Sequence, residues 1–485
     1  MRKGISWTFA SQVATNVIRI AVIAILARIL DSADFGVVAA AVSVNVILYS
    51  IRDVGISTAI VQRRDIEPGH LKTAFAVSTY IGLAFSALLF VAAPLIAKVY
   101  GLDGSTGVLR AMGALFSLLG VSAVSRSMLT RAMDFRAIAT IDAVAFAGGA
   151  ITTVTLAVCG AGPWALVGGY LLEELLTSGL FLAAAPPLVS FRIERARLRE
   201  LMTVGVGQTI VQIAGILATY GDNFVVGRML GARALGFYTR AYDLIKYPST
   251  VFGNIVGAVL APAFARLQDD RPALAKNFRR MLFINALILL PASGALFVLA
   301  PEAIRILMGP KWDPAVLPFR VLTLTMLSRT TLKLGAIVAT AAGAVNGVAI
   351  AYVIYMVAVI GGALVAIQWS IVGVATTTAI AITLTAALLC FIAMKISTLS
   401  FRALVAAHVP GLTMTVAVVA VAWPLAEVLR GQALPAALVF GLVGALAVAV
   451  SLGVLALWMA RRTEDLAWLG EELRRLVRRR AKRPA

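Results

Sequence analysis

The sequence has little of what catalysis at a metal or a nucleophile needs. Among 485 residues there are two histidines and two cysteines. His70, His408, Cys159 and Cys390 are too scattered for metal-ligand spacing, so no metal and no cofactor is expected. No GxxxxGK[ST] loop occurs, which excludes a self-contained nucleotide-driven pump. Charge is scarce as well, at 14% of residues against about 25% in soluble domains. The two thiols lie in apolar runs far apart and read as buried small hydrophobes.

What the chain has instead is hydrophobicity, 60% of its residues. Between charged clusters the sequence falls into apolar runs of roughly 20 to 26 residues, each long enough as a helix to cross a hydrocarbon core of about 30 Å. About fourteen such runs follow one another, beginning near Ser6, Phe35, Thr73, Val108, Ala137, Gly162, Leu201, Ala234, Phe278, Leu317, Asn346, Ile371, Leu404 and Leu434. The fold class is therefore all-α, a polytopic membrane protein, and the connections are too short to hold a soluble domain. The opening segment reads as a retained first helix rather than a signal peptide, because Gln12, Asn16 and Arg19 interrupt its apolar run. With an even number of spans both termini share a side. Most of the 43 Lys and Arg fall on that side, which places both termini in the cytoplasm and accounts for the net charge of +20 without a nucleic-acid partner.

A shift of 200 residues lays the beginning of the chain on its middle: Gln12 on Gln212, Arg28 on Arg228, Leu30 on Leu230 and Gly36 on Gly236. A second block, Leu88 to Pro94, overlays Ala295 to Pro301 at a shift of 207. The repeat unit holds an even number of helices, so both copies enter the membrane from the same side, as in transporters built from paired bundles. The expected organisation is an N-lobe of six helices over 1–195, a C-lobe of six over 196–397, two further helices over 398–460 and a basic amphipathic cytoplasmic tail over 461–485. The tail reads equally as a helix on the anionic leaflet or as a charge run that fixes topology.

Polar side chains inside the spans recur at helical spacing. Gln12, Asn16 and Arg19 share one face of the first helix; Asn45, Tyr49 and Arg52 do so in the second. The seventh carries Gln208, Gln212, Thr219 and Asp222, and the eighth carries Arg240, Asp243, Tyr247, Thr250 and Asn254, with Lys246 one position aside. An intramembrane charge costs about 2.5 to 3.5 kcal/mol on insertion scales and normally faces a bundle interior or a wet cavity. The cations Arg19, Arg52, Arg240 and Lys246, with Gln12, Asn16, Asn45, Tyr49 and Gln212, are the candidate substrate-binding set. Asp53, Asp222 and Asp243 are candidates for ion coupling or for charge balance, and Arg240 and Asp243 at i, i+3 can pair. Arg329 and Lys333 are further candidates, with Asp142, Glu173 and Glu174 unassigned.

The stretches LARILDSADFGVVAAA (Leu26 to Ala41), RDVGISTAIVQRRDIEPGHLKTAF (Arg52 to Phe75), RAMDF (Arg131 to Phe135), GPWALVGG (Gly162 to Gly169), DNFVVGRMLGARALGFYTRAYDL (Asp222 to Leu244) and LQDD (Leu267 to Asp270) carry a resemblance. Together they are similar to the Wzx-type polysaccharide-transporter branch of the multidrug/oligosaccharidyl-lipid/polysaccharide exporter superfamily. The resemblance implies a flippase of the bacterial inner membrane, with a cationic central cavity. It would move undecaprenyl-diphosphate-linked oligosaccharide to the periplasmic leaflet, with membrane lipid and polysaccharide polymerase or export machinery as partners. It also implies arginines in the first, second and eighth helices as substrate contacts, here Arg19, Arg52 and Arg240. Two alternatives stand beside it, a multidrug exporter of the same superfamily and a membrane glycosyltransferase or polymerase.

Overall fold

A computed structural model describes residues 18–52, 56–63, 65–102, 104–201, 206–267, 270–460, 465, 466, 468 and 471; at 51, 52, 62, 206–209, 247–263 and 265 it describes the backbone alone. The described residues are helices and their connections, with no strand among them. In order they are α1 (18–29), α2 (Ser32–Arg52), α3 (Ile56–Gln62), α4 (Pro68–Tyr100), α5 (Thr106–Gly113), α6 (Leu115–Arg131), α7 (Phe135–Val158), α8 (Pro163–Ala184) and α9 (Arg195–Leu201). There follow α10 (Val206–Ala265), α11 (Arg271–Val298), α12 (Ala300–Met308), α13 (Val316–Thr323), α14 (Met326–Ala341), α15 (Val345–Ala366), α16 (Ser370–Ser397), α17 (Phe401–Gly431) and α18 (Ala436–Ala460).

Ten of the described helices are long and apolar enough to cross a membrane, or eleven when the bent pair Pro310–Thr323 and Met326–Ala341 is one span. Two of the long stretches contain a break where the apolar runs predict separate spans. Gly231 interrupts α10 with φ 80° and ψ 179°, and a short 3-10 turn, Ile367–Trp369, divides α15 from α16. The described helices are consistent with about fourteen spans. Their outward faces carry Val91, Val158 and Leu457, each at least 70% exposed, which is the surface a hydrocarbon solvent requires rather than one that water tolerates.

The described residues form two compact units. Unit 1 takes the chain up to Leu244 with Leu307–Ala315 and Tyr352–Thr378; unit 2 takes Ile245–Ile306, Val316–Ala351 and the chain from Ala379. In unit 1 small residues let helices close: Ala41, Ala93 and Ala97 pack with Val38, Val108 and Met112 between α2, α4 and α5. Unit 2 does the same with Ala422, Ala426 and Ala447 between α11, α17 and α18. Cys390 is buried in unit 2 as expected, whereas Cys159 is exposed. It occupies the C-cap of α7, where the chain turns out of the packed layer.

The repeat seen in the sequence reappears as repeated chemistry. In unit 1 the Ser86 hydroxyl donates to the Gly113 carbonyl at 2.9 Å, and Arg110 donates through Nε to the Phe90 carbonyl at 3.1 Å while lying over that ring at 4.6 Å. In unit 2 the Ser293 hydroxyl donates to the Thr323 carbonyl at 2.7 Å, and Arg320 donates to the Phe297 carbonyl at 3.1 Å while lying over that ring at 5.5 Å. Each device ties a long helix to a shorter one further along the chain, α4 to α5 and α11 to α13. Within unit 1 the two copies also touch. A methyl on Gly36 would meet the Ala232 carbonyl oxygen at 1.8 Å, and one on Gly236 would meet the Ser32 carbonyl oxygen at 1.8 Å. The shift of 200 exchanges the two contacts, as a local two-fold would.

Beside this crossing lies Trp312, fully buried, with its ring edge-on to Phe35 and Phe237 at 5.4 and 5.5 Å. Its indole N–H donates to the Ala27 carbonyl at 2.9 Å, and Lys311 donates to the Leu30 carbonyl at 2.7 Å. These carbonyls belong to the last turn of α1, which has no intrahelical donors of its own.

Candidate functional site

A cleft in unit 1 gathers five of the intramembrane charges, Arg19, Arg126, Asp142, Glu173 and Glu174. Its first part, a cavity of about 490 Å³, is lined by residues of α1, α6, α7 and α8, among them Arg19, Arg126, Asp142, Phe146, Tyr170 and Glu173. A second part of about 440 Å³ is lined by Tyr49, Thr58, Ser122, Thr130 and others. The two share Arg126, Glu174 and Thr177, so they adjoin. Helical spacing accounts for the wall. Ser122, Arg126 and Thr130 recur every four residues on α6, Ile138, Asp142 and Phe146 do so on α7, and Tyr170, Glu173, Glu174 and Thr177 fall along one stripe of α8.

The charges of the cleft are partly matched. Arg126 grips Asp142 with two contacts, 3.3 and 3.2 Å, in the fork geometry that guanidinium and carboxylate favour. Its guanidinium also lies 5.1 Å over Phe181. Glu174 accepts from the Ser178 hydroxyl at 3.0 Å. Arg19 lies over the Phe146 ring at 4.9 Å, and its Nε is buried without a hydrogen-bond partner among the described residues. Tyr170 lies in the field of Arg240, Asp243, Glu173 and Arg19. The lining thus sets Arg19 and Arg126 against Asp142, Glu173 and Glu174, and does not show the excess of cations expected of a phosphate-binding wall.

The residues singled out in the sequence have different fates. Arg19 and Tyr49 line the cleft, Tyr49 in its second part. Asn45 lines neither cavity; its amide donates to the Met112 carbonyl at 2.9 Å, near the break between α5 and α6. Arg240 pairs with Asp243 at 3.0 Å, as the i, i+3 spacing predicts, and lies 5.0 Å over Phe35. Asp222 is fully buried, accepting from Tyr238 Oη at 2.5 Å, from Thr378 Oγ1 at 3.3 Å and from the Asn223 backbone N–H at 2.9 Å. Gln212 is exposed and Lys246, in unit 2, is half-buried. The expected stripe on the seventh helix therefore splits, with Gln212 exposed and Asp222 in a packed network. Arg329 donates to Thr325 Oγ1 at 3.0 Å. Arg52 ends α2, described through its backbone only; Gln12, Asn16 and Asp53 lie outside the described residues.

Arg126 was not among the expected residues. Its signal was present, a cation between Ser122 and Thr130 at four-residue spacing in an apolar helix. Asp142, Glu173 and Glu174, unassigned from the sequence, all reach the cleft.

Residues 25–317 match the model of a family described as polysaccharide biosynthesis protein. The chain belongs to this family. It is similar to the succinoglycan biosynthesis transport protein ExoT of Rhizobium meliloti, 29% identical over 328 residues that cover 67% of this chain and 66% of that protein. It is also similar to the lipopolysaccharide biosynthesis protein WzxC of Escherichia coli, 24% identical over 329 residues, 67% of each chain. These matches span about two thirds of the relatives' lengths. Among solved structures, the lipid II flippase MurJ in an inward closed conformation superposes with a TM-score of 0.75 at 14% identity, over 94% of this chain and 99% of that one. A multidrug resistance transporter of the MATE family follows with 0.60 at 15% identity, over 80% and 98%. At such identities the likeness establishes the fold alone, one that this chain shares with that flippase and that transporter. With its long apolar helices and the fold it shares with these solved structures, the polysaccharide biosynthesis protein described here is a multi-pass membrane protein.

Proposed function

We propose that this polysaccharide biosynthesis protein flips an undecaprenyl-diphosphate-linked oligosaccharide repeat unit from the cytoplasmic to the periplasmic leaflet of a bacterial inner membrane by alternating access. Both termini lie in the cytoplasm, and the repeats act as lobes over 1–195 and 196–397, with 398–460 and the basic tail 461–485 appended. The observation that carries the reading is Arg19, an intramembrane guanidinium on the wall of a cleft, with a buried Nε that has no acceptor among the described residues. A diphosphate oxygen supplies that acceptor, and charge-assisted bonds of this kind are roughly twice as strong as neutral ones. Arg52, Arg240 and Lys246 continue the contact set with Gln12, Asn16, Asn45, Tyr49 and Gln212. Asp243 balances the charge of Arg240, while Asp222, held by the hydroxyls of Tyr238 and Thr378, and Asp53 serve ion coupling or charge balance.

The test is transfer of a labelled polyprenyl-diphosphate oligosaccharide between leaflets of proteoliposomes. Arg19→Ala should slow transfer by roughly tenfold to a hundredfold, the worth of a hydrogen bond to a charged group, with the folded protein retained. Transfer at the wild-type rate by a well-folded variant removes Arg19 from the mechanism. A second reading, export of organic cations, is favoured by Glu173 and Glu174 beside the aromatic Phe146 and Tyr170. Gradient-driven efflux of a cationic dye together with no lipid transfer would establish it instead.

A further inference from the structure

We propose that the connection from α8 to α9, with the outer face of α9, is a binding surface for an anionic phospholipid of the leaflet beside it. The proposal concerns bulk membrane lipid and holds whatever lipid-linked cargo the protein moves.

The inner face of this segment is committed to the protein. Leu201 is fully buried with Ile56, Ile60, Leu71 and Phe75. Arg197 pairs with Glu67 at 2.6 Å and with Glu194 at 3.8 Å, and Glu200 accepts from Arg63 and His70. The carboxylates of the segment, Glu194 and Glu200, are thereby matched. Its outer cations are not: Arg192, Arg195 and Arg199 are exposed and make no ion pair or side-chain hydrogen bond among the described residues. Arg195 and Arg199, at i and i+4, stand on one face about 5–6 Å apart at Cβ. With Ala196 and Leu198 they line a groove of about 590 Å³. Guanidinium groups without a carboxylate call for an anion, and their fork geometry fits phosphate oxygens.

The apolar side chains beside them identify the anion. Leu188, Val189, Phe191 and Ile193 are exposed, Val189 and Phe191 at 61% each. Phe191 is tied to α4, where Tyr80 Oη donates to its carbonyl at 3.1 Å and the two rings lie 6.4 Å apart. Tyr80 and Leu83 are exposed too, and they begin the outward stripe that runs on through Val91. The patch is therefore continuous with a face that meets hydrocarbon. At 33 residues α4 is about 50 Å long, well beyond a hydrocarbon core of about 30 Å, so its first turns and the connection against them lie at headgroup depth. A soluble anion would meet the arginines and leave the apolar patch uncovered. A phospholipid covers both, its phosphate on the arginines and its acyl chain on Val189 and Phe191. A zwitterionic headgroup brings no net charge to offset three cations, so the surface selects an anionic one.

The test uses the full-length protein in a neutral detergent with three probes: short-chain phosphatidylglycerol, short-chain phosphatidylcholine and inorganic phosphate. A ligand of the native state raises the melting temperature with its concentration, which gives an apparent affinity for each. Phosphatidylglycerol should bind wild type at least about tenfold more tightly than either other probe, and added salt should weaken it. Each Lys or Arg beside an anionic lipid surface is worth roughly fivefold. The triple variant Arg192→Gln, Arg195→Gln, Arg199→Gln should therefore bind phosphatidylglycerol roughly a hundredfold more weakly. Leu188→Ser with Val189→Ser should weaken the lipid severalfold and leave inorganic phosphate unchanged. All five side chains are exposed, and melting without lipid checks that each variant folds. Equal affinity of wild type for the two lipids overturns the proposal without any variant, and so does an unchanged affinity for phosphatidylglycerol in the folded triple variant. Inorganic phosphate that binds as tightly as phosphatidylglycerol, or a double serine variant that binds the lipid as wild type does, assigns the arginines to a soluble anion and refutes the lipid. A protein that moves no lipid-linked oligosaccharide leaves each of these readouts unchanged, so the two readings fail separately.

Discussion

Replacing Gly36 by alanine tests whether the two repeats meet as described. In the interior of an exposed helix this change stabilises by about 1 kcal/mol through propensity, so its sign is informative. Here the added methyl would sit 1.8 Å from the Ala232 carbonyl oxygen. Ordinary contact needs roughly 3.5 Å, so the two helix ends must part. The obstacle is backbone, which cannot rotate away, and a gap of 0.5 to 1 Å already forfeits about a quarter to a half of each neighbouring van der Waals well. Overpacking costs about 1–3 kcal/mol, and the upper part of that range applies, leaving a net loss of about 1–2 kcal/mol after the propensity gain. Gly236→Ala should cost the same, because its methyl meets the Ser32 carbonyl oxygen at the same 1.8 Å. The double variant should cost much less than the sum, since helices already parted by one methyl accommodate the second. Thermal unfolding in one detergent, monitored by intrinsic fluorescence, measures all four proteins. A stabilised Gly36→Ala, or strictly additive losses, would refute the reciprocal crossing.

Three further outcomes follow from the same structure. Arg430 holds the buried carboxylate of Glu302 through Nε at 2.8 Å and Nη2 at 2.9 Å, so Arg430→Leu should destabilise by about 3–5 kcal/mol; adding Glu302→Leu should recover most of it, and an Arg430→Leu variant as stable as wild type contradicts the pairing. Glu200, on α9, takes the Nε2–H of His70, whose Nδ1 accepts the Glu67 N–H, and pairs with Arg63. The His70 bond first and the Arg63 bond second hold its carboxyl below the ordinary value of about 4.3. Stability from this group is then fully present above the unfolded value and is lost as pH falls through the lowered folded one. The melting temperature should drop below about pH 4 in wild type and less so in Glu200→Gln; parallel curves would sink the assignment. Tyr238→Phe removes a 2.5 Å donor from the buried Asp222 carboxylate and should cost about 1–3 kcal/mol, read by the same melting assay, with no loss expected if Asp222 is protonated and turned elsewhere.

Periodicity in the sequence reveals which side chains share a face, and packing decides what that face meets. Asn45 and Arg19 gave one signal, a polar group in an apolar helix. Asn45 spends its amide on the Met112 carbonyl, whereas the buried Nε of Arg19 meets no acceptor among the described residues. The difference lies in the break between α5 and α6, which falls inside a single apolar run and leaves no mark that a hydropathy pattern detects. Asp222 and Gln212 were read as one stripe for the same reason, and the burial of Asp222 depends on Thr378, 156 residues away. The repeat was legible because identities such as Gly36 and Gly236 encode a steric need that no other residue meets. Its second half drifts, so that Ser86 and Ser293 align at a shift of 207, and the Arg110 and Arg320 that brace them align at 210. A single fixed register therefore finds the crossing and misses the braces. Arg126 shows the converse. Its stripe with Ser122 and Thr130 was in plain view, yet a lone arginine near the end of an apolar run reads as a topology charge until Asp142 is found on the neighbouring helix. A charge inside a span is therefore best weighed by the carboxylates that other spans can bring to it, and by that measure Arg19, stacked on a ring rather than paired, is the residue to test first.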